Sequence, residues 1–150
     1  MGSADGWTVC GLGHRHWGLV GAAGLLVMHT DLDGVTRYLL QHRSAEVHHG
    51  LTWGVPGGAL EHDESPQDGA AREVREEFGQ ISATLHHVRT HVDDHGGWTY
   101  YTVVTASDEM FETQQGGWET GKEGFTWATA AQIDELDLHP GFAKTWPVLI

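Results

Sequence analysis

The sequence predicts an α/β fold, a mixed β-sheet covered by helices, built as a single domain over residues 1–150. Three observations predict it. Strand-like apolar runs recur along the chain, as "LVGAAGLLVMHT" (19–30), "TRYLLQHR" (36–43) and "WTYYTVVTA" (98–106), while helix signals are few. A chain of 150 residues suits one core of ordinary size, and neither an internal repeat nor a shift in composition divides it. Hydrophobic residues make up 39%, and seven tryptophans favour a packed globule over a disordered chain.

Each element has its own reason. Residues 1–16 are glycine-rich and weakly patterned, which reads as a peripheral arm. The first two strands are separated by "DLDG", a hairpin signal with Asp33-Gly34 at its turn. The longest apolar run, "LVGAAGLLVM" (19–28), falls short of the roughly 20 residues that span a bilayer and reads as a buried strand. No membrane segment is therefore expected, and no basic-then-apolar leader opens the sequence. Residues 44–58 read as a loop, broken by Gly50, Gly54, Pro56, Gly57 and Gly58. Ser65 is a candidate N-cap, Pro66 suits the first helical position, Asp68 favours the positive end of the dipole, and Gly79 supplies the stop. Two strand candidates, 83–94 and 98–106, flank "HGG". A strand over "GFTWAT" (124–129), a short helix over 129–136 and a last helical piece after Pro140 complete the order.

Eight basic residues against 21 acidic ones, net −13, speak against a nucleic-acid polymer as partner, because such binding needs a basic stripe. Small phosphorylated ligands remain open, since divalent cations can carry the positive charge locally. Cys10 is the one cysteine, so no internal disulfide forms and a reducing cytoplasm is the expected compartment.

The helix after Ser65 carries unusual charge. With each residue turning about 100°, Glu77 lies about +40° and Glu76 about −60° from Glu73, so the three share one arc. Ala70, Ala71, Val74 and Phe78 form the adjoining apolar face. Gly69 interrupts the acid arc without a side chain, at a cost of roughly 1 kcal/mol against alanine, which suggests a close approach there. Clustered carboxylates suit hard cations such as Mg²⁺ or Mn²⁺, which bind carboxylate and phosphate oxygens together. A plain solvated face, with Arg72 and Arg75 as partners, is the competing reading. The upstream "WGVPGGALEHDE" weighs against it, because a glycine-rich bend entering a helix lets backbone carbonyls and carboxylates converge.

The segment "GALEHDESPQDGAAREVREEFGQ" (58–80) resembles the Nudix box, G-x(5)-E-x(7)-R-E-U-x-E-E-x-G-U, where U is a bulky aliphatic residue. Gly58, Glu64, Arg72, Glu73, Val74, Glu76, Glu77 and Gly79 match at the required spacing. Gln80 departs from the last aliphatic position, with Ile81 one step later. The resemblance implies a Nudix-type α/β/α sandwich with a mixed sheet. It also implies a nucleotide pyrophosphohydrolase that cleaves a nucleoside diphosphate derivative with Mg²⁺ or Mn²⁺. By position, Glu73, Glu76 and Glu77 would be metal ligands and carry the catalysis, with the Gly58 carbonyl a further metal oxygen. Glu64 and Arg72 would pair to tie loop to helix. The general base would come from the box or from a later loop, where "WETGKEGFTW" (118–127) offers Glu119, preferred, and Glu123.

Arg43, ending "LLQHR", is the candidate for a substrate phosphate, against the alternative of a strand-end surface arginine. Trp98, Tyr100, Tyr101 and Trp118 are candidates for stacking on a base, although strand aromatics more often belong to the core. His48-His49, His86-His87 and "HRH" (14–16) make poor chelates if they lie on strands, whose neighbouring side chains point to opposite faces. The expected partner is a small nucleotide-type diphosphate, with room for a homodimer. Two other functions share the fold. A non-catalytic nucleotide-binding or regulatory module has no need of three clustered glutamates. An isomerase of diphosphate lipids wants a cysteine facing a glutamate, which Cys10 fits poorly.

Overall fold

The computed structural model describes residues 7–9, 15–17, 20–117 and 119–150. Cys10, His14, Trp118 and much of the expected peripheral arm lie outside the described residues. Within that arm, β1 (Trp7–Val9) and β2 (Arg15–Trp17) pair antiparallel as a separate two-stranded sheet.

The hairpin signal at "DLDG" connects β3 (Ala22–Thr30) to β4 (Thr36–Arg43), in the register Val27↔Leu39 to Thr30↔Thr36. Asp31 organises the turn. One of its carboxylate oxygens accepts the N–H of Asp33 (2.9 Å) and of Val35 (3.0 Å). Gly34, at φ +82°, donates its N–H to the Asp31 carbonyl, a conformation that costs glycine little.

Residues 44–58 depart from the loop reading. They include β5 (Trp53–Gly54), which pairs with β4, and part of β6 (Gly57–Ala59), which pairs with β3 through Ala22↔Ala59 and Gly24↔Gly57. A Cβ on Gly57 would overlap the carbonyl oxygen of Ala23. This glycine therefore permits close strand contact, and it removed the side-chain alternation by which a strand is recognised.

Next come α1 (Pro66–Glu77), β7 (Leu85–Asp94), β8 (Thr99–Ser107), β9 (Thr120–Thr129), α2 (Ala130–Ile133) and α3 (Pro140–Leu149). The seven-stranded sheet runs β5-β4-β3-β8-β7, with β6 also on β3 and β9 also on β4. β3 and β8 are parallel and the other pairings are antiparallel, so the sheet is mixed. Ala70 and Val74 of α1, with its C-cap Phe78, pack on one face, against Leu25, Val27, Leu39, Val103 and Phe125. Ile133, Phe142 and Trp146 of α2 and α3 pack on the other, against Leu26, Leu40, Val104 and Ala128. The result is the α/β/α sandwich. With both its faces covered, β3 reads as a nearly continuous apolar run. Phe78 meets Phe125 and Phe111 edge-on, with ring centroids 4.8 and 5.7 Å apart. Such a pair contributes about 0.5–1.5 kcal/mol beyond burial. Among the described residues, no helix is long and apolar enough to cross a membrane.

The helix expected over 129–136 is shorter. Thr129 and Gln132 form a reciprocal capping box that starts α2, but the chain soon leaves the helical path. Asp137 accepts the N–H of Trp53 and His139 donates to the carbonyl of Trp53, each at 2.8 Å. β5 thus competes for this backbone.

His139 then caps α3, its Nδ1 accepting the Gly141 N–H at 3.0 Å. An acceptor at Nδ1 must be unprotonated. Burial, with smaller contributions from the charges of Arg43, His49 and His48, pushes the imidazole down to about 4. A group with a depressed folded pKa contributes stability above its unfolded value, near 6.5, and loses it as pH falls towards 4. His139→Asn keeps a capping acceptor that does not titrate. We expect the stability of the native chain relative to this variant to fall by about 1–2 kcal/mol between pH 7 and pH 4.5, after allowance for solvent screening of a part-exposed ring. Urea unfolding at several pH values measures it, and a pH-independent difference would refute a neutral His139.

Candidate active site

The site begins where β6 runs into α1. Gly58 lies against the Glu73 carboxylate so closely that a Cβ there would sit 2.6 Å from the carboxyl carbon. The chain then passes Leu60, which is buried, and Glu64 reaches back towards the helix. Ser65 accepts the Asp68 N–H at 3.1 Å and so caps α1. Gly69 has the role its cost suggested: a Cβ there would overlap the end of Leu60 and press on the Glu64 carboxylate. At the far end Gly79, at φ +101°, donates its N–H to the Val74 carbonyl and stops the helix. Ile81, just beyond the motif's departure at Gln80, packs on the α1-side core. Gln80 instead lines a cleft of about 470 Å³ with Met110 and Phe111, away from the acidic residues of the helix.

Arg72 ties this junction together. Its Nε donates to Glu64 Oε2 at 2.9 Å, and its Nη2 to Glu64 Oε1 at 3.0 Å and to the Ala59 carbonyl at 2.9 Å. Its Nη1 lies 3.1 Å from both Glu73 and Glu76. The fork to Glu64 is bidentate, the stronger class of charged hydrogen bond. It holds Glu64 below the ordinary carboxylate value and raises Arg72 above its own.

The three helix glutamates face different neighbours. Glu73, 16% exposed in its side chain, is wedged between Gly58 and Arg72. Glu76 is 57% exposed and leans on Arg72. Glu77 turns towards the start of β9, where Thr120 Oγ1 donates to its Oε1 at 2.7 Å, and Gly117 just before the strand lies against its carboxylate. Burial pushes Glu73 up to about 7; Arg72 opposes this, and the charges of Glu76 and Glu119 add to it. The charge of Glu119 is therefore felt at Glu73.

Backbone bonds explain that placement. Gly117 donates its N–H to the Glu77 carbonyl (2.8 Å), one of the carbonyls a helix leaves unpaired at its end. Thr120 donates to the Gly117 carbonyl (3.1 Å), and the Glu119 carbonyl accepts the Ser44 N–H (2.9 Å). A cleft of about 420 Å³ opens here, lined by Arg75, Glu76, Glu77, Gln114 and Gln115 among others. Glu123 does not share the loop with Glu119. β9 starts at Thr120, earlier than the expected 124, and leaves Glu123 exposed within the strand.

Arg43 ends β4 beside this group. Its Nε and Nη2 donate to the His48 carbonyl at 3.2 and 2.7 Å. Burial lowers its pKa, while the proximity of Tyr100 and Glu119 works the other way. Burial also pushes the Tyr100 hydroxyl up to about 12. That hydroxyl occupies the space beside Gly24, where a Cβ would overlap it. Of the aromatic candidates described, Tyr100 joins the site. Trp98 is buried against Ala22, and Tyr101 packs on the α1-side core. His48 and His49 lie in the turns between β4 and β5, not on a strand, with ring centroids 3.9 Å apart. His86 and His87 are exposed on β7.

As placed, no three histidine, cysteine or acidic side chains among the described residues form a ready metal cage. The donor set nevertheless fits a hard divalent cation. Glu73, Glu76, Glu77 and Glu119 offer carboxylate oxygens, and the glycine cradle at Gly58 brings backbone against the half-buried Glu73. Sequence reasoning missed Gln41 and Thr120, both buried, which make a hydrogen-bonded chain to Glu77. Neither carries a local signal, because they stand 79 positions apart.

The family model for the NUDIX domain matches residues 19–148. A protein of Mycobacterium tuberculosis named "Putative 8-oxo-dGTP diphosphatase 3" is 39% identical over 151 residues, covering 97% of this chain and 68% of its own length. A "Nucleoside triphosphate pyrophosphatase/Nudix hydrolase fusion protein" of Bifidobacterium longum is 45% identical, over 95% of this chain but 30% of its own. The crystal structure of RenU, a Nudix hydrolase from M. smegmatis, superposes with a TM-score of 0.85 at 37% identity, covering 97% of this chain and 92% of the other.

Proposed function

This chain belongs to the Nudix family, as a hydrolase of phosphorus-containing acid anhydrides, and from that premise we propose that it cleaves the pyrophosphate linkage of a nucleoside diphosphate derivative with Mg²⁺ or Mn²⁺. The observation that carries the proposal is the half-buried Glu73, closed in by Gly58 and sharing its field with Glu76 and Glu119. Negative charge gathered this closely is stabilised when a cation and a polyphosphate arrive together. A divalent cation supplies positive charge against the pyrophosphate oxygens and lowers the pKa of the attacking water.

The chain's own groups do the rest. Glu73, Glu76, Glu77 and the Gly58 carbonyl would hold the cation. Glu119 accepts the proton of the water as its oxygen bonds to phosphorus and the bridging P–O bond breaks. Arg43 receives a substrate phosphate, with the neutral Tyr100 hydroxyl beside it. Arg72, committed to Glu64 and Ala59, keeps loop and helix in register throughout.

The name of the M. tuberculosis relative makes 8-oxo-dGTP the first substrate to try. A panel of ordinary and oxidised nucleoside triphosphates, nucleotide sugars and dinucleotides, each with Mg²⁺ and Mn²⁺, tests the proposal once products are identified. We expect turnover of at least one class, abolished by exhaustive EDTA treatment. Undiminished turnover after chelation would refute the metal requirement.

A further inference from the structure

We infer that Gln41 and Thr120 are positioning residues that orient Glu77 towards the cation and lock the Glu119 turn onto α1. The inference rests on the reading of Glu77 as a metal ligand given above. Gln41 Nε2 donates to Thr120 Oγ1 at 2.9 Å, and Thr120 Oγ1 donates to Glu77 Oε1 at 2.7 Å. The direction of this chain is fixed by chemistry. An amide nitrogen only donates, so it occupies a lone pair of the hydroxyl, whose single proton then points at the carboxylate. Donors in series strengthen one another.

Burial argues that the chain is more than a fastening. Gln41 and Thr120 are 3% and 7% exposed, on ground that apolar side chains would fill without desolvating polar atoms. Gln41 lies two residues beyond the core residue Leu39 on β4 and two before Arg43, so core, relay and phosphate candidate follow one another on alternate positions. The sheet bends to bring Thr120 there. Gln41 pairs with Phe125 whereas Arg43 pairs with Thr120, so residues 121–124 bulge out and Thr120 returns beside Gln41. The neighbouring glycines clear the space: a Cβ on Gly116 would crowd Thr120 Oγ1, and one on Gly117 would press on the Glu77 carboxylate. Thr120 is thus bonded to Glu77 by its side chain and to Gly117 by its backbone, with Glu119 held between them.

Groups that orient a metal ligand typically matter 10–100-fold for metal affinity or activity. The test uses Thr120→Val, which keeps the shape and loses the hydroxyl, Gln41→Met, and the conservative Thr120→Ser. Mn²⁺ affinity is read by electron paramagnetic resonance titration without nucleotide, and thermal midpoints verify folding. We expect Thr120→Val and Gln41→Met to weaken Mn²⁺ binding at least about tenfold, with Thr120→Ser close to the native chain. Turnover lost in Thr120→Val should return at higher Mg²⁺, with the nucleotide KM unchanged. If Thr120→Val folds and binds Mn²⁺ within about twofold of the native chain, the relay does not position Glu77, while the proposed activity stands. Should Thr120→Val not fold, Gln41→Met decides by the same criterion. A native chain that binds no Mn²⁺ would overturn the metal reading and the relay together.

Discussion

Glu77→Gln is expected to lower kcat about a thousandfold at saturating Mg²⁺, a loss of roughly 4 kcal/mol of transition-state stabilisation. Glu76→Gln should fall in the same range. Both changes remove a negative oxygen from the set proposed to hold the cation. Neither should disturb the fold: Glu76 is largely exposed, and a glutamine at 77 retains an oxygen able to accept from Thr120. Glu119→Gln should cost less, about 10²-fold, the lower end for general acid–base catalysis. Its backbone bond to Ser44 survives the change, so the turn keeps its shape. Steady-state kinetics of the three variants, with thermal midpoints as a control on folding, provide the comparison. If Glu119→Gln proves the most damaging, the loop supplies the decisive base and the helix mainly holds metal.

The second large effect falls on stability. Arg72→Ala removes the donors that serve Glu64, Glu73, Glu76 and the Ala59 carbonyl. Glu64 and Glu73 are only 12% and 16% exposed in their side chains, so water cannot fully replace the guanidinium. Losing one partner of a fully buried pair costs about 3–5 kcal/mol; this pair is half-buried, so a loss of at most about 3 kcal/mol is expected, up to roughly 6–12 °C in Tm at this size. Glu64→Gln should cost less, because the amide oxygen still accepts from Arg72. Activity should fall in both variants as the loop carrying Gly58 loosens. Thermal midpoints unchanged in both would show that the junction does not depend on this pair.

What could be read from the sequence was what short-range chemistry decides. α1 announces itself through Ser65, Pro66, Asp68 and Gly79, all acting within a turn of their own position. The β3–β4 hairpin is legible for the same reason, since Asp31 and Gly34 satisfy each other locally. The acidic arc, too, follows from helical spacing. β5 and β6 were not legible because side-chain alternation is lost over two or three residues that include glycines. The end of α2 is set by Trp53, some 80 positions earlier in the chain, and the early start of β9 by pairing of Thr120 with Arg43. The site divides along the same line. Its helix half is a local motif, whereas the relay from Gln41 through Thr120 exists only once distant strands have met.

The parallel pairing of β3 with β8 governs how the chain reaches this state. Ala22 aligns with Tyr100 and Met28 with Ala106, so every rung joins positions 78 apart. A hairpin such as β3–β4 closes in about 1–10 μs, but the face of β3 that α2 and α3 cover stays open until those C-terminal helices arrive. Contacts at such separation must overcome the entropy of closing a long loop before they contribute any stabilisation, which makes parallel pairing of distant strands intrinsically slow. During synthesis, at about 5–20 residues per second, several seconds pass between the appearance of β3 and that of β8. For that interval β3 can pair with β4 and β6 but lacks its parallel partner, and its open edge then is an opportunity for misassembly.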